Sequence, residues 1–584
     1  MPQNNKLSRR QDSLWSRLLE SNPQLFREIQ GKLKTRNVVI AAAIAVLTQF
    51  VSVILLLGQL PDIDVKYLQC GRYGMTLVYK EYGDRLCYSQ NDAGSWLINW
   101  QLWWLDLFLI LSFISIFTLL IVGTYMLVAD LVKESERGTL NFIRLTPQSA
   151  SSILLGKILG VPVLLYAAIS LLFPLHLVAG LQAHIPLSLL LAFDLTVIAS
   201  CAFFYSLALL WSFVDWKISG LKPWVAIVCL GLMLAPTTAM LVNRYSRLDH
   251  LVASILLFHP GFGLTYLVDA ASSPFGTASF ITLDNLAQLS FYGQPLWTKT
   301  AIGMGFCFLN FSLWTYWCWA LLKRRFHNPE RTFLSKAHSY WLTGWLTIVA
   351  LGFTLQQDFI PRHVYEVLPD NSQHIAHNFL LLQLCLNLFG LGLIYALSPH
   401  RQAIHDWMRY RHQTSPKNSL WYELVLGENS PSTIAIALNL AIAILFIAPS
   451  IFLILEPSQY YLFGGLLLSA TNILLYAVVA QFVLMTKSSS RTIWSIAVLT
   501  SLIVLPPLGL GILERTIHIL PQAWLFTFFP TVSAQYASPG AIAFAAFAQW
   551  LAISAIGIQM TRQLKLAGAS ETKALMSRVD TLAK

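Results

Sequence analysis

The residues that could do chemistry in this 584-residue chain are concentrated in one polar segment, from Lys133 to Lys157. The segment reads KESERGTLNFIRLTPQSASSILLGK and lies between two long apolar runs. Carboxylates at Glu134 and Glu136 precede a Gly-Thr pair, which can end one helix and begin another. A connection between two apolar runs needs only a few polar residues. This longer, ordered-looking segment therefore predicts a surface that another molecule contacts.

Within this segment, the pattern predicts a short helix, LNFIRL, with apolar side chains on two faces. Leu140 and Ile143 share one face by helical spacing, while Phe142 and Leu145 share the other. Apolar side chains on an exposed connection favour contact with a soluble protein, and a helix resting on the lipid surface is the alternative. Thr139 and Ser149 are the expected helix caps. We assign the surface to Glu134, Glu136, Gly138, Thr139, Leu140, Ile143, Thr146 and Pro147.

Elsewhere the sequence offers no recognisable catalytic set. No G-x-x-x-x-G-K-[ST] phosphate loop occurs, so we expect this chain neither to hydrolyse ATP nor to hold a cofactor. The 13 histidines are scattered without recognisable spacing to serine or aspartate, and no Cys or His spacing predicts a metal site. We therefore assign no catalytic residue and no metal ligand.

Charged residues within apolar runs are costly, and they are candidates for a functional role. Asp194, in LLLAFDLTVIAS, is the deepest, and we expect it to line a cavity or to pair with a serine or threonine. Asp106 and Asp130 lie nearer the ends of their runs and are expected to face water. Lys157 is expected to extend its ammonium group to the membrane interface.

Composition places the chain among polytopic membrane proteins. Only 11% of its residues are charged, against about 25% in an average soluble protein, and 56% are hydrophobic. Twelve apolar runs of sufficient length predict an all-α fold with about twelve transmembrane helices. The runs lie at 37–60, 100–130, 152–181, 186–214, 223–243, 300–322, 341–357, 377–398, 433–455, 460–486, 493–512 and 541–560. The run at 152–181 could be broken at Pro162 or Pro174.

Basic residues predict the orientation of these helices. With the N-terminus inside, 30 of the 39 Lys and Arg residues fall in inward connections, so both termini are expected to be cytoplasmic. This placement accounts for the net charge of +11, and nucleic-acid binding is not expected. A basic stretch at 321–336 divides the chain into two six-helix halves, 1–330 and 331–584. Outward segments 244–298 and 513–540 contain apolar stretches too short to cross, which predicts re-entrant helices, with surface loops as the alternative.

Before the first run, residues 21–36 predict a basic amphipathic helix that lies in the cytoplasmic interface. Leu25, Phe26 and Ile29 fall at helical spacing. Asn22 can cap this helix, and Pro23 suits its first turn. A solvated tail is the alternative.

Seven cysteines give one structural expectation. Cys70 and Cys87 share the outward segment 61–99, where a disulfide between them is chemically feasible, and bonded and free forms are both open. The other five fall in apolar runs, where cysteine behaves as a small apolar residue.

The pattern E-x-E-x-G-T-L, followed by T-P-x-S and by I-L-L-G-K at the start of the next run, resembles the signature of ABC-2 type transporter permeases, the membrane subunits of bacterial ABC exporters. The resemblance covers about residues 1–325 and extends to the second half only in the number and layout of its runs, as in a fused two-half form. It implies that the segment contains a cytoplasmic coupling helix, which docks on a separate ATP-binding subunit. The matching residues are Glu134, Glu136, Gly138, Thr139, Leu140, Thr146, Pro147, Gly156 and Lys157.

The second half departs from this pattern, since its segment 398–438 has neither G-T-L nor T-P. Trp421 and Leu424 fall in LWYELVL, a candidate second coupling helix that Gly427 would end. A solvated basic loop is the alternative. Two docking sites in one chain would imply two ATP-binding subunits, which would hold the ATP and Mg²⁺.

The resemblance thus implies the permease subunit of an ATP-driven exporter in the bacterial cytoplasmic membrane, a transport protein and not an enzyme. Aromatic, apolar outward segments favour a lipid-like or amphipathic substrate. An ion-gradient-driven secondary transporter is the main alternative, for which Asp194 is the one well-placed buried charge. A membrane-embedded glycosyl- or acyltransferase is disfavoured, because the outward segments lack clustered His, Asp or Arg.

Overall fold

A computed structural model describes most of the chain between residues 22 and 568. The described residues are 22–60, 72–73, 76–78, 85–87, 98–214, 218–243, 251–271, 286, 289–355, 371–414, 420–488, 490–513 and 517–568. Cys70 and the side chain of Cys87 lie outside this part, so the disulfide stays a prediction. The described chain forms two compact units, whose main boundary falls between His327 and Asn328.

The first unit is helical apart from one small hairpin. A π-helical turn, Thr118–Val122, joins its third and fourth helices. Two three-residue strands, β1 (Thr76–Val78) and β2 (Arg85–Cys87), pair antiparallel. The α-helices are α1 (Pro23–Lys32), α2 (Thr35–Leu57), α3 (Trp100–Phe117), α4 (Gly123–Glu136), α5 (Thr139–Arg144), α6 (Ala150–Gly160), α7 (Val163–Gln182), α8 (Leu187–Ser212), α9 (Lys222–Val242), α10 (Leu264–Ala270) and α11 (Thr300–His327).

The second unit is helical throughout its described residues. Its centre is α17, which packs against α13, α16, α18, α20 and α21. The helices are α12 (Lys336–Thr354), α13 (Asn371–Leu397), α14 (Arg401–Thr414), α15 (Leu420–Leu426), α16 (Thr433–Ile454), α17 (Tyr461–Leu484), α18 (Arg491–Ile512), α19 (Pro521–Trp524), α20 (Thr531–Ala534) and α21 (Pro539–Gly568).

Ten helices in the described chain are long and apolar enough to cross a membrane, or eleven if one bent pair counts as a span. This confirms a multi-pass, all-α membrane fold. The predicted runs 300–322 and 341–357 form α11 and α12, which have 28 and 19 residues but are not among the ten. The twelve-helix layout and the sides on which the termini lie stay predictions.

The predicted run 152–181 is broken at one proline and not at the other. α6 ends at Gly160 and α7 begins at Val163, with Pro162 between them. Pro162 has φ of −89° and ψ of 19°, outside the helical region, and proline has no backbone N–H with which to restore the hydrogen-bond ladder there. Pro174 lies inside α7, which continues past it.

Within the described residues, both segments that were expected to be re-entrant contain short helices, with residues such as Phe262 and Leu525 buried and others such as Ile255 and Ile519 exposed. In the first unit, Leu251–Phe258 and Pro260–Ala270 meet at 94°. In the second, Asn387 Nδ2 donates to the Phe528 carbonyl at 3.1 Å, and Asn472 Nδ2 donates to the Thr527 carbonyl at 2.9 Å. Irregular backbone at membrane depth requires such protein partners.

Candidate functional site

The polar segment between α4 and α6 forms the short helix α5. α4 ends at Glu136 because Gly138 has a left-handed backbone, with φ of 71°, which favours glycine. Gly138 itself occupies the N-cap position of α5. The expectation that Thr139 caps α5 is therefore wrong, since Thr139 is the first helical residue and its hydroxyl donates to the Glu134 carbonyl at 3.1 Å.

The two faces of α5 differ in exposure as their spacing predicts. Leu140 and Ile143 are buried, with 6% and 8% exposure, whereas Phe142 and Leu145 are 75% and 83% exposed. One exposed apolar residue is ordinary, but two large ones on a single short helix form a protruding apolar tip. We call Phe142 and Leu145 the apolar tip. Leu140 and Ile143 anchor α5, so the tip is the part that another molecule could contact.

Further contacts fix α5 to the rest of the first unit. The Arg144 guanidinium lies over the rings of Phe213, at 5.5 Å, and Phe326, at 5.9 Å. Phe213 follows α8 and Phe326 lies in α11. Just before α5, the Glu136 carboxylate accepts a hydrogen bond from the Ser219 hydroxyl. A displacement of α5 would therefore act on the ends of several helices.

The segment ends in the predicted way. The Thr146 hydroxyl donates to the Ile143 carbonyl at 2.7 Å, and Pro147 follows in an exposed turn. Ser149 caps α6, because its Oγ accepts the Ser152 N–H at 3.2 Å.

Lys157 in α6 is buried, with its side chain 1% exposed. Its Nζ lies 2.7 Å from Glu28 Oε1, 2.6 Å from Asp130 Oδ2 and 2.7 Å from Glu134 Oε1. These contacts join α1, α4 and α6. The expectations that Lys157 reaches the interface and that Asp130 simply faces water are therefore wrong, because the carboxylates compensate the ammonium group inside the protein.

Two further cations balance these carboxylates. Arg27 Nη2 is 2.5 Å from Glu134 Oε1, and Lys32 Nζ is 3.2 Å from Glu28 Oε2. Three cations thus face three carboxylates, and the group has no net charge. Burying an unpaired charge costs several kcal/mol, so the balance allows six charged residues to share one helix junction. We call this group the charge network; it consists of Arg27, Glu28, Lys32, Asp130, Glu134 and Lys157.

The pKa shifts of Lys157 and Glu28 keep these two residues charged at neutral pH. Burial alone lowers the pKa of Lys157, but the charges of Asp130, Glu28 and Glu134 outweigh it and raise that pKa above its ordinary value. Burial alone raises the pKa of Glu28, but Lys157 and Lys32 outweigh it and hold that pKa below its ordinary value.

Two glycines allow α1 to approach α6 closely. A Cβ on Gly160 would lie 2.5 Å from Glu28 Cβ, and one on Gly156 would lie 2.9 Å from Asn22 Oδ1. Asn22 caps α1 as predicted, and its Nδ2 also donates to the Ser152 carbonyl at 2.8 Å. The spacing G-K-I-L-G places both glycines on one face of α6. That spacing is the sequence signal for this contact.

The three carboxylates of the charge network also have the spacing of cation ligands. Oxygens of Glu28, Asp130 and Glu134 lie within 4.8 Å of one another, and within the described residues no other such group is this close. The Lys157 ammonium, no more than 2.7 Å from each, occupies the position that an ion would take. We assign no metal or cofactor here.

The candidate coupling segment of the second unit is a helix, α15, and not a loop. Trp421 is 70% exposed, whereas Leu424 is half-buried. Gly427 follows the helix, and its N–H donates to the Glu423 carbonyl at 2.7 Å. A Cβ on Gly427 would lie 2.4 Å from that carbonyl oxygen, so this end of α15 requires glycine. Trp421, rather than Leu424, is the residue that a partner could reach.

A buried lysine also lies beside α15. Lys336 is 2% exposed, and its Nζ donates to Ser430 Oγ at 2.6 Å, to the Leu424 carbonyl at 2.8 Å and to the Pro431 carbonyl at 3.0 Å. All three acceptors are uncharged. Burial lowers the pKa of Lys336 to about 8.

Two aspartates of the first unit lie away from this site. Asp106, expected to face water, is buried instead and accepts from Arg72 Nε at 2.5 Å, from Arg72 Nη2 at 2.8 Å and from the Tyr73 hydroxyl at 2.9 Å. Asp194 lines a cavity with Ser112 and His176. Sequence spacing did not indicate this group, because its members come from three different helices.

No family model, no curated protein and no solved structure matches this chain. The resemblance to ABC-2 permeases therefore rests on the sequence pattern around α5 and on the layout of the apolar runs.

Proposed function

We propose that the chain is the transmembrane permease subunit of an ATP-driven exporter and that the apolar tip of α5 docks a separate ATP-binding subunit. The observation that supports this most directly is the tip itself, because Phe142 and Leu145 are exposed on a helix whose other face is anchored. The same segment carries the E-x-E-x-G-T-L pattern. A docking helix needs both an exposed apolar surface and a rigid attachment, and α5 has both.

The contacts of α5 provide a route for mechanical coupling. A push on the apolar tip would reach α8 and α11 through Arg144 and would reach α4 through Gly138. From the last turn of α4, Glu134 connects to Lys157 in α6 and to Arg27 in α1. The charge network would then make α1, α4 and α6 move together when the partner subunits close on ATP.

α15 would provide the second docking surface, with Trp421 as its most exposed apolar side chain beside Leu420, Tyr422 and Leu426. One chain would then bind two ATP-binding subunits, which would hold ATP and Mg²⁺. The protein would lie in the bacterial cytoplasmic membrane with both termini inside, and it would move a lipid-like or amphipathic substrate.

A pull-down tests this proposal. The tagged chain is purified in mild detergent from its native membrane, and the wild type is expected to retain an ATPase subunit with a phosphate-loop sequence, near two copies per chain. A Phe142→Ser, Leu145→Ser double variant is expected to lose most of it. Ile519→Ser removes an apolar side chain that is also exposed (60%, against 75% for Phe142 and 83% for Leu145) far along the sequence, and it is the control. A wild-type chain that purifies alone, or a double variant that retains the ATPase, would refute the docking proposal.

Replacing Glu136 and Leu140 together tests coupling as distinct from binding. In this double variant, ATP hydrolysis by the bound partner is expected to continue while transport falls, because Leu140 anchors α5 and Glu136 fixes the end of α4. Normal transport per ATP would count against the proposed route.

The second candidate function is transport driven by an ion gradient, which is favoured by the presence of Asp194 and His176 in one cavity. Ionisable residues inside a membrane cavity are typical of proton and ion carriers. Uptake into vesicles that depends on an imposed gradient, without ATP or a partner subunit, would replace the first proposal with this one.

A further inference from the structure

A second site in the first unit lies between α3, α6, α7 and α8, and Ile158 and Leu159, which follow Lys157 in α6, form part of its wall. It is a cavity of about 530 Å³ whose walls are mainly apolar, with Ile116, Phe173 and Val197 among them. Two rim residues, Leu159 and Ile198, are 46% and 64% exposed. Exposed apolar residues on membrane-spanning helices face lipid, so the cavity opens towards the acyl chains.

Three of the polar residues that line this cavity lie close together. Ser112 Oγ lies 2.9 Å from His176 Nε2, and His176 Nδ1 lies 4.0 Å from Asp194 Oδ1. Ser112 Oγ also lies 2.7 Å from the Phe108 carbonyl oxygen, to which it donates in the common helical pattern. A serine hydroxyl has only one hydrogen, so His176 Nε2–H is the donor to Ser112.

This assignment leaves two acceptors facing each other. A neutral imidazole with its hydrogen on Nε2 has a lone pair on Nδ1, and that lone pair faces the Asp194 carboxylate. The 4.0 Å gap is too long for a hydrogen bond. Within the described chain, Asp194 Oδ2 is buried and has no hydrogen-bond partner. While Asp194 is ionised, the space between it and His176 Nδ1 therefore contains neither a hydrogen-bond donor nor a positive charge.

We propose that the cavity binds an apolar molecule that carries a protonated amine, with the amine nitrogen between His176 Nδ1 and Asp194 Oδ1. A nitrogen about 2.8 Å from both acceptors would make an angle of about 90° with them, close to the angle between two N–H bonds of an ammonium group. The charge would neutralise Asp194, which is otherwise costly in a membrane. The apolar body would fill the rest of the cavity.

The same geometry disfavours two other ligand classes and one reaction. An anionic headgroup would face the Asp194 carboxylate and the Nδ1 lone pair, so it is disfavoured. A long-chain alcohol offers a donor but no charge and should bind more weakly. Ser112 is not set up as a nucleophile, because its hydrogen goes to the Phe108 carbonyl rather than to His176. The site does not depend on the docking proposal, and its test needs neither ATP nor a partner.

The test is a competition assay on the full-length chain, immobilised in detergent, with radiolabelled dodecylamine as the probe. Unlabelled dodecylamine, dodecanol and dodecyltrimethylammonium compete; the last has the charge but no N–H. Saturable binding of one probe per chain is expected. Dodecylamine should compete about ten-fold or more better than either of the others, since a charged hydrogen bond is lost in both.

Three variants locate the site. Asp194→Asn should weaken dodecylamine binding about ten-fold or more. Asp269→Asn, which removes an exposed carboxylate in α10, is the matched control and should bind as the wild type does. Ala202→Trp should abolish binding by filling the apolar part of the cavity, while His176 and Asp194 stay in place.

Two results, on the wild type and on Asp194→Asn, would overturn the proposal. One is equal competition by dodecanol and dodecylamine on the wild type, and the other is unchanged binding by a folded Asp194→Asn chain. If Asp194→Asn does not fold, the wild-type competition series and Ala202→Trp still test the proposed site, because both keep the Asp194 carboxylate. Unchanged binding by Ala202→Trp would also place the probe elsewhere and refute the site.

Discussion

Both units bury a lysine close to a candidate docking helix, but they compensate its charge in different ways. Lys157 lies among three carboxylates supplied by α1 and α4. Lys336 lies among a hydroxyl and two carbonyls from the end of α15 and the residues after it. Full charges raise the pKa of Lys157, whereas burial without a counter-charge lowers the pKa of Lys336. The first arrangement ties three helices together, and the second fixes one short helix locally.

The largest expected effect comes from removing the first lysine. Lys157→Met leaves three carboxylates together without their central cation, so the free energy of unfolding should fall by about 3–5 kcal/mol. Lys336→Met leaves only uncharged acceptors, and its expected cost is about 1–3 kcal/mol. Chemical denaturation of both variants in the same detergent gives the comparison. Equal decreases in the free energy of unfolding would show that the three carboxylates around Lys157 do not add to the cost of removing its ammonium group.

The two lysines should also respond differently to alkaline pH. The folded pKa of Lys336, about 8, is below its ordinary value of 10.5, so between these pH values the unfolded chain binds more protons. Stability should therefore rise by about 1–3 kcal/mol as the pH increases from 8 to 10.5. The pKa of Lys157 is raised, so its contribution should remain until the pH exceeds 10.5.

The difference in unfolding free energy between the wild type and Lys336→Met, followed across this pH range, isolates that contribution. This difference should increase by about 1–3 kcal/mol between pH 8 and pH 10.5. A difference that does not change with pH would contradict the lowered pKa of Lys336. On the acid side, Glu28 should lose its stabilising contribution as the pH falls through its lowered pKa, below 4.5.

The close contact between α1 and α6 at Gly160 is expected to contribute less to the free energy of unfolding than the Lys157 ammonium group does. Gly160→Ala places a Cβ against Glu28 Cβ, so it should push α1 away from α6 and destabilise the protein by about 1–3 kcal/mol. Gly231→Ala, in α9, has open space around the added carbon and should be neutral or stabilising by up to about 1 kcal/mol. Thermal unfolding of the two variants, with limited proteolysis near α1, checks this contrast.

The smallest effect on stability is expected at the apolar tip. Phe142→Ser should change the unfolding free energy by no more than about 0.5 kcal/mol, because the side chain is already exposed. Leu140→Ala, on the buried face of the same helix, should cost about 2–4 kcal/mol. Denaturation of both variants tests whether α5 has one structural face and one free face. Equal costs would mean that the tip is not free.

Local sequence patterns predicted local structure well. Helical spacing identified the buried and exposed faces of α5, and the caps at Asn22 and Ser149 follow from their side chains. Gly138 and Pro162 mark real helix breaks, since each has a backbone that a regular helix does not tolerate.

The partners of buried charges could not be predicted in the same way. Lys157 meets Glu28 across 129 positions, and Asp106 meets Arg72 across 34. Periodicity shows that such a residue lies in an apolar run, but it does not show which distant residue compensates it. The group Ser112, His176 and Asp194 was missed for the same reason. Only the G-K-I-L-G spacing of α6 indicates, within a short stretch of sequence, that this helix is closely approached by a distant one, α1.

The long sequence separation within the charge network has a consequence for the order of assembly during synthesis. α1 is made early, but Glu28 has to wait for Lys157, which follows 129 residues later. At about 5–20 residues per second, the ribosome needs about 6–26 s to reach it. During that interval the carboxylate lacks its main cation. The charge network can fix α1 only after α4 and α6 have been made, so the start of the first unit is held in place by residues that follow it in the chain.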